Sequence, residues 1–219
     1  LSILLGVGAN PNVALTILQY ACSTGTLDSV KQLLDTNPDI NIINDTGFYS
    51  NDDLFGMPLQ VAVSLERADI VRCLLEYRAD PNITCLNDSP WKRSPLAAAV
   101  YTQNPEILSI LLGAGADPNV IPGLLSYVAE NHDFQFVKVI LDEGNANIDS
   151  ADDTLGTALQ VFAAKGQRDA MAYLLDLGAD PNIEGGQYGS ALNAAIANGH
   201  EHCIDELLGE RSIESHESD

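Results

Sequence analysis

Residues 109–119 read SILLGAGADPN and residues 2–12 read SILLGVGANPN, so two distant stretches differ at only two of eleven positions. Shorter variants recur as LLEYRADPN (74–82) and LLDLGADPN (174–182), with a weaker copy, LLDTNPDIN, at 33–41. A repeated segment decides the fold before local propensity does, because each copy is one structural unit.

Ahead of each tail stands a Leu followed by small or apolar residues three and four positions on. The anchors are Leu18, Leu59, Leu96, Leu125, Leu159 and Leu192, separated by 41, 37, 29, 34 and 33 residues. Seven positions after the anchor come Gly25, Gly166 and Gly199, or Glu66, Gln103 and His132. Twelve after it stands an apolar residue (Val30, Val71, Leu108, Val137, Met171, Ile204), and an aliphatic pair such as Leu33-Leu34 or Leu174-Leu175 follows at fifteen and sixteen. Positions 0, +3 and +4 make one helical stripe, and +12, +15 and +16 make a second. Two antiparallel helices per copy follow. Gly at +7 is suited to the left-handed end of the first helix, the Gly of G-A-D-P-N to the end of the second, and Asp-Pro-Asn to a polar turn.

Two helices and a turn at a period near 33 resemble the ankyrin repeat. Gly156-Thr157-Ala158-Leu159 through Asn182 nearly spells that family's G-x-T-P-L-x-x-A-A-x-x-G and V-x-x-L-L-x-x-G-A-D-x-N. The likeness covers about residues 2–208. FGMPLQVAV (55–63), LGTALQVFAAKG (155–166) and YGSALNAAIANGH (188–200) most resemble ankyrin arrays of filamentous fungi. The resemblance implies an all-α solenoid of helix-turn-helix units with β-turn fingers.

The copies divide the chain into a remnant of a repeat (1–14), repeat 1 (15–41), an extended loop (42–55), repeat 2 (56–82) and repeat 3 with a long finger (83–119). A degenerate repeat 4 (120–149), repeat 5 (150–182), a C-terminal capping repeat (183–211) and an acidic tail (212–219) complete it. Repeat 4 leaves no room for a finger between Asn119 and Gly123, and its tail GNANID lacks Asp-Pro-Asn. The last second helix, HEHCIDELLGER, reads as polar around its apolar stripe, as a cap requires. The missing initial Met and the unpartnered Leu4-Leu5 predict further sequence upstream.

Composition narrows the function. Thirty-one Asp and Glu against ten Lys and Arg give a net charge of -21, which argues against nucleic acid and anionic membranes as partners. No run of apolar residues is long enough to span a bilayer, and the N-terminus lacks the basic region of a secretory signal. The four cysteines form no C-x-x-C pair and read as reduced thiols, placing the chain in the cytoplasm or nucleus. Much of the acidity is architectural, in turn positions (Asp39, Asp80, Asp117, Asp180) and on second helices (Glu76, Asp142, Asp176).

The search for chemistry returns little. No phosphate-cradling, dinucleotide, nucleophile-elbow or zinc-protease motif occurs, so no catalytic residue and no cofactor is expected. His200 and His202 lie two apart on a helix and point about 200° from each other, which disfavours a shared metal ion and leaves them as solvated histidines. His132 fills the +7 slot. Asp45, Asp52 and Asp53 read as a solvated acidic loop, and Gly185-Gly186 as turn geometry.

The resemblance implies partner contacts at finger tips and at +5 and +6 of the first helices: Ser23-Thr24, Ser64-Leu65, Tyr101-Thr102, Glu130-Asn131, Ala164-Lys165 and Ala197-Asn198. Aromatics in the long connections are favoured recognition anchors. The expected partner-binding set is therefore Phe48, Tyr49, Phe55, Trp91, Lys92, Arg93, Tyr101 and Tyr188. The reading is a noncatalytic protein–protein interaction scaffold, monomeric, with self-association through the bare N-terminal face as a further outcome. The alternative is a small-molecule-binding or enzymatic variant with a pocket near repeats 3 and 4 lined by Tyr127, His132 or Tyr101.

Overall fold

The structure is a computed structural model that describes residues 11–36, 57–82 and 94–209. The chain divides into two compact units, Leu1–Asp117 and Pro118–Asp219.

The described residues of unit 1 form three helix pairs: α1 (Pro11–Thr24) with α2 (Leu27–Thr36), α3 (Pro58–Ser64) with α4 (Ala68–Glu76), and α5 (Pro95–Tyr101) with α6 (Pro105–Gly113). The first helices α1, α3 and α5 pack side by side, and so do the second helices α2, α4 and α6. Unit 2 opens with a 3-10 turn, Pro118–Val120, and continues with α7 (Leu124–Asn131) and α8 (Phe134–Gly144). A hairpin of β1 (Ala151–Asp152) and β2 (Gly156–Thr157) precedes α9 (Ala158–Lys165) and α10 (Arg168–Asp176), then α11 (Ala191–Asn198) and α12 (Glu201–Leu208). Here α7, α9 and α11 form the row of first helices.

The offsets become a core. The anchors Leu18, Leu59, Leu96, Leu125 and Leu159 are buried, and so are Val30, Val71, Leu108, Val137 and Met171 twelve residues on. Unit 2 adds Phe162, fully buried, with Phe134 edge-on to it at 5.7 Å.

The turns also follow the sequence. Asp80 and Asp180 accept hydrogen bonds from the backbone of Asn82 and Asn182 at 2.8 and 2.9 Å, so the Asp side chain closes its own turn. Asn82 then reaches the next copy, donating to the Gly115 carbonyl at 2.9 Å and accepting from the Asp117 amide at 2.7 Å. Asn119 repeats this in unit 2 with the Asn145 carbonyl and the Asn147 amide, so the GNANID tail is tied down without Asp-Pro-Asn. The β1–β2 finger is closed by Asp152, which accepts from Thr154 and Leu155.

Three expectations are corrected. Helix α1 begins at Pro11, where a polar turn is expected, because nothing in VALTIL (13–18) breaks a helix that Pro can open at its first turn. Gly25 is not left-handed, whereas Gly166, Gly199, Glu66 and Gln103 in the same slot are; Gly25 instead leaves room for the Ala21 carbonyl, 2.6 Å from where a Cβ would stand. His132 is extended rather than left-handed, with φ −127°. In the last repeat Ile196 and Leu208 are 56% and 57% exposed, whereas the residues at the same offsets in repeat 3, Val100 and Leu112, are buried.

Candidate functional site

Several exposed apolar side chains stand on the first helices or at their ends. In unit 1, Tyr20 on α1, Leu65 just after α3 and Tyr101 at the end of α5 are 69%, 49% and 54% exposed. Because α1, α3 and α5 lie side by side, these three side chains form a row with one apolar group per repeat. Around them stand Ser23, Thr24, Ser64 and Thr102, which are uncharged. Three of their hydroxyls are turned inward: Ser23 and Thr24 donate to the Tyr20 carbonyl at 2.8 and 2.9 Å, and Thr102 to that of Ala99 at 3.2 Å. Exposed apolar surface of this size costs free energy that a partner recovers by covering it.

The charged residues next to the row serve the array. Arg67 donates to the Cys22 carbonyl at 3.2 Å, and Glu66 accepts from Asn104 at 3.1 Å. The corresponding positions of unit 2 are engaged too. Lys165 donates to the carbonyls of Ala129 and Glu130 at the end of α7, while Asn131 and Asn198 bond back to Tyr127 and Ala194. The +5 and +6 side chains of unit 2 are thus largely tied into the array, and Ile196 is the exposed large apolar group of its first helices.

Of the expected site residues, Tyr101 takes its place in this row, and Tyr188 is half-buried in the turn bridged by Gly185 and Gly189. Phe48, Tyr49, Phe55, Trp91, Lys92 and Arg93 lie outside the described residues, as do Asp45, Asp52 and Asp53. Tyr20 is the member that the +5 and +6 rule misses. It stands at +2, one turn before those positions and on the same helical face, and that periodicity is the signal that finds it.

Two histidines differ from their sequence reading. His200 is not simply solvated: its Nε2 lies 3.0 Å from the Ala164 carbonyl, and its ring covers Gly166 so closely that a Cβ there would be 2.6 Å away. His132 sits with Tyr127 and Phe136, ring centroids 6.0 and 5.4 Å away, and both of its ring nitrogens are sealed from solvent without a hydrogen-bond partner. Tyr127 and His132 thus come together, while Tyr101 belongs to the other unit.

Burial lowers the His132 pKa below the ordinary imidazole value. The folded chain then binds fewer protons than the unfolded one below about pH 6.5, so this contribution to stability is complete above that pH and lost as pH falls through the depressed folded value. Urea unfolding at pH 7.5 and 5.5 tests this: His132→Phe is expected to shrink the loss on acidification. An unchanged loss would refute the assignment to this ring.

Among the described residues, the remaining titratable side chains do not gather into a reactive cluster. Burial pushes the Cys22 thiol up to about 12 and raises those of Cys73 and Cys203, which keeps them protonated. Burial and a 2.5 Å hydrogen bond to Asp142 raise the Tyr173 phenol to about 12. Among the described residues, no three metal-ligating side chains gather, and no helix is long and apolar enough to cross a membrane.

A family model for ankyrin repeats matches residues 1–85, 41–121 and 125–219. No curated protein matches the sequence. Among solved structures, the chain is similar to an ankyrin repeat domain of Acinetobacter baumannii, at 24% identity, TM-score 0.68, covering 88% of this chain and 96% of that one. It is similar to the ankyrin repeat domain of human ASB11, at 22% identity, TM-score 0.61, with coverages of 89% and 83%. A third likeness, at 23% identity, TM-score 0.63 and coverages of 89% and 97%, is to a chain in the complex of a Bdellovibrio bacteriovorus predatory endopeptidase with an immunity protein. The helix pairs, the left-handed glycines at their ends and the finger hairpin are the physical content of that match, and the chain belongs to the ankyrin-repeat family.

Proposed function

We propose that the chain is a noncatalytic protein-interaction scaffold that takes a partner protein on the first-helix row of unit 1. The connecting segments that carry Phe48, Tyr49, Phe55, Trp91, Lys92 and Arg93 contribute to the same recognition, with Tyr188 as an accessory contact.

The observation that carries this is the row itself: Tyr20, Leu65 and Tyr101 are exposed apolar groups, one per repeat, in a chain of net charge -21. Tyr is favoured at binding hot spots because it supplies a large contact at little conformational cost. That a chain of this fold occurs in a complex of an endopeptidase with an immunity protein supports the reading. The buried free thiols of Cys22, Cys73 and Cys203 support a reducing compartment, cytoplasm or nucleus, and the repeat motifs support a fungal source.

The partner is to be isolated by affinity purification from the source cell and the complex reconstituted. Hydrogen exchange read by mass spectrometry should show new protection over 18–24, 61–65 and 98–102. Protection confined to α2, α4 and α6, or to unit 2, would contradict it.

A further inference from the structure

We propose that the surface formed by α11 and α12 in unit 2 is a second docking site, independent of the unit 1 row, and that it takes a cationic amphipathic helix of a partner protein.

The other repeats show what covers these positions. At +4, +12 and +15 from the anchor, repeat 5 places Ala163, Met171 and Leu174, and all three are fully buried. Repeat 2 buries Val63, Val71 and Leu74 at the same offsets. Each of these repeats is followed by a helix pair packed beside it, α11 and α12 in one case, α5 and α6 in the other. In the last repeat the same offsets carry Ile196, Ile204 and Leu207, and α12 is the last helix among the described residues. Ile196 is exposed, Ile204 and Leu207 are half-buried, and Leu208 at +16 is exposed as well. The residue types are alike, so the difference in burial measures the cover that a following helix gives. A helix laid on this surface recovers the free energy of that apolar area.

Charge selects the kind of helix. Helix α11 carries no ionic side chain, and α12 carries Glu201, Asp205 and Glu206 without a Lys or Arg. Glu206 is engaged by Arg168 at 3.1 Å, whereas Glu201 and Asp205 have no ion-pair partner among the described residues. Residues 201, 205 and 208 follow i, i+4, i+7 spacing, so two free carboxylates share a stripe with the exposed Leu208. A helix whose Leu or Ile stripe is flanked by Lys or Arg meets both features. A second copy pressing the same face would set these carboxylates against their own counterparts, as would an acidic helix. The chain's own residues 210–219 hold one apolar side chain, Ile213, and four acidic residues against Arg211, so they supply neither the stripe nor the charge.

The test is an NMR titration of the whole chain at physiological salt with three synthetic peptides of about four helical turns. One is a Leu-striped helix flanked by Lys, the second the same composition scrambled so that the stripe is lost, and the third the Leu stripe flanked by Glu. The Lys helix should bind saturably and shift the amides of α11 and α12. It should weaken about tenfold or more in Ile196→Ser/Leu208→Ser, and severalfold in Glu201→Gln/Asp205→Gln. Both other peptides should bind more weakly. Equal affinity for the scrambled peptide or for the Glu helix, or shifts that fall outside α11 and α12, would overturn the inference. Sedimentation of the free chain tests the rival occupant: a dimer that Ile196→Ser/Leu208→Ser dissolves would show a second copy on this face and overturn it too. Thermal unfolding confirms that both variants are folded, and the Gln variant, which keeps side-chain shape, tests the charge by itself.

Discussion

Replacing Gly186 with Ala is expected to cost about 3 kcal/mol of stability, whereas Gly199→Ala should cost only about 1 kcal/mol. Both glycines are left-handed, at φ 61° and 72°, so both substitutions carry the penalty of placing an L side chain there, roughly 1–2 kcal/mol. They differ in what surrounds the new methyl group. At Gly199 nothing lies within 4 Å, whereas at Gly186 the Cβ would stand 2.6 Å from the Gly156 amide nitrogen and 2.8 Å from its Cα. These are backbone atoms of the neighbouring finger and cannot turn aside, so the finger pair must separate and lose the 2.9 Å bond from the Gln187 amide to the Thr154 carbonyl. Overpacking of this kind adds about 1–3 kcal/mol. Urea unfolding at constant pH measures both variants, and equal losses would show that the two fingers do not stack as described.

Gly186 also shows how far the sequence could be read. Gly185-Gly186 is legible as a turn, because left-handed backbone favours Gly. That a second finger lies against it is not legible, since the contact with Gly156 is made across thirty residues. The same limit divides the rest. The helix pairs, the buried anchors and the left-handed Gly115, Gly166 and Gly178 follow from spacings within one copy. Contacts between copies do not: the Asn82 and Asn119 links, the Lys165 cap on α7 and the His200 ring over Gly166 depend on which neighbour each side chain meets. His132 departs from its slot for a related reason. Its extended backbone accompanies a ring set among Tyr127 and Phe136 instead of exposed at a helix end.

The candidate site is divided in the same way. Tyr101 and Leu65 are found by position within the repeat, because +5 and +6 of a first helix face away from its partner. Tyr20 requires the further step that α1, α3 and α5 align, which turns a lone exposed tyrosine into one end of a row. The six expected residues of the long connections, Phe48, Tyr49, Phe55, Trp91, Lys92 and Arg93, lie outside the described residues and enter the account through their chemistry alone.

The second large effect belongs to that row. Covering Tyr20, Leu65 and Tyr101 on a partner recovers roughly 1 kcal/mol or more from each, since all three are about half exposed or more in the free chain. Removing them together is expected to weaken binding by about a hundredfold or more, because centrally placed anchors dominate an interface. Stability should scarcely change, as exposed side chains outside the core contribute within about 0.5 kcal/mol each, and Leu65 caps α3 through its backbone N–H rather than its side chain. The decisive measurement is the affinity of the purified partner for the Tyr20→Ala/Leu65→Ser/Tyr101→Ala variant, taken beside its thermal unfolding. The account predicts binding lost with the melting temperature nearly unchanged; full affinity in the triple variant would contradict it.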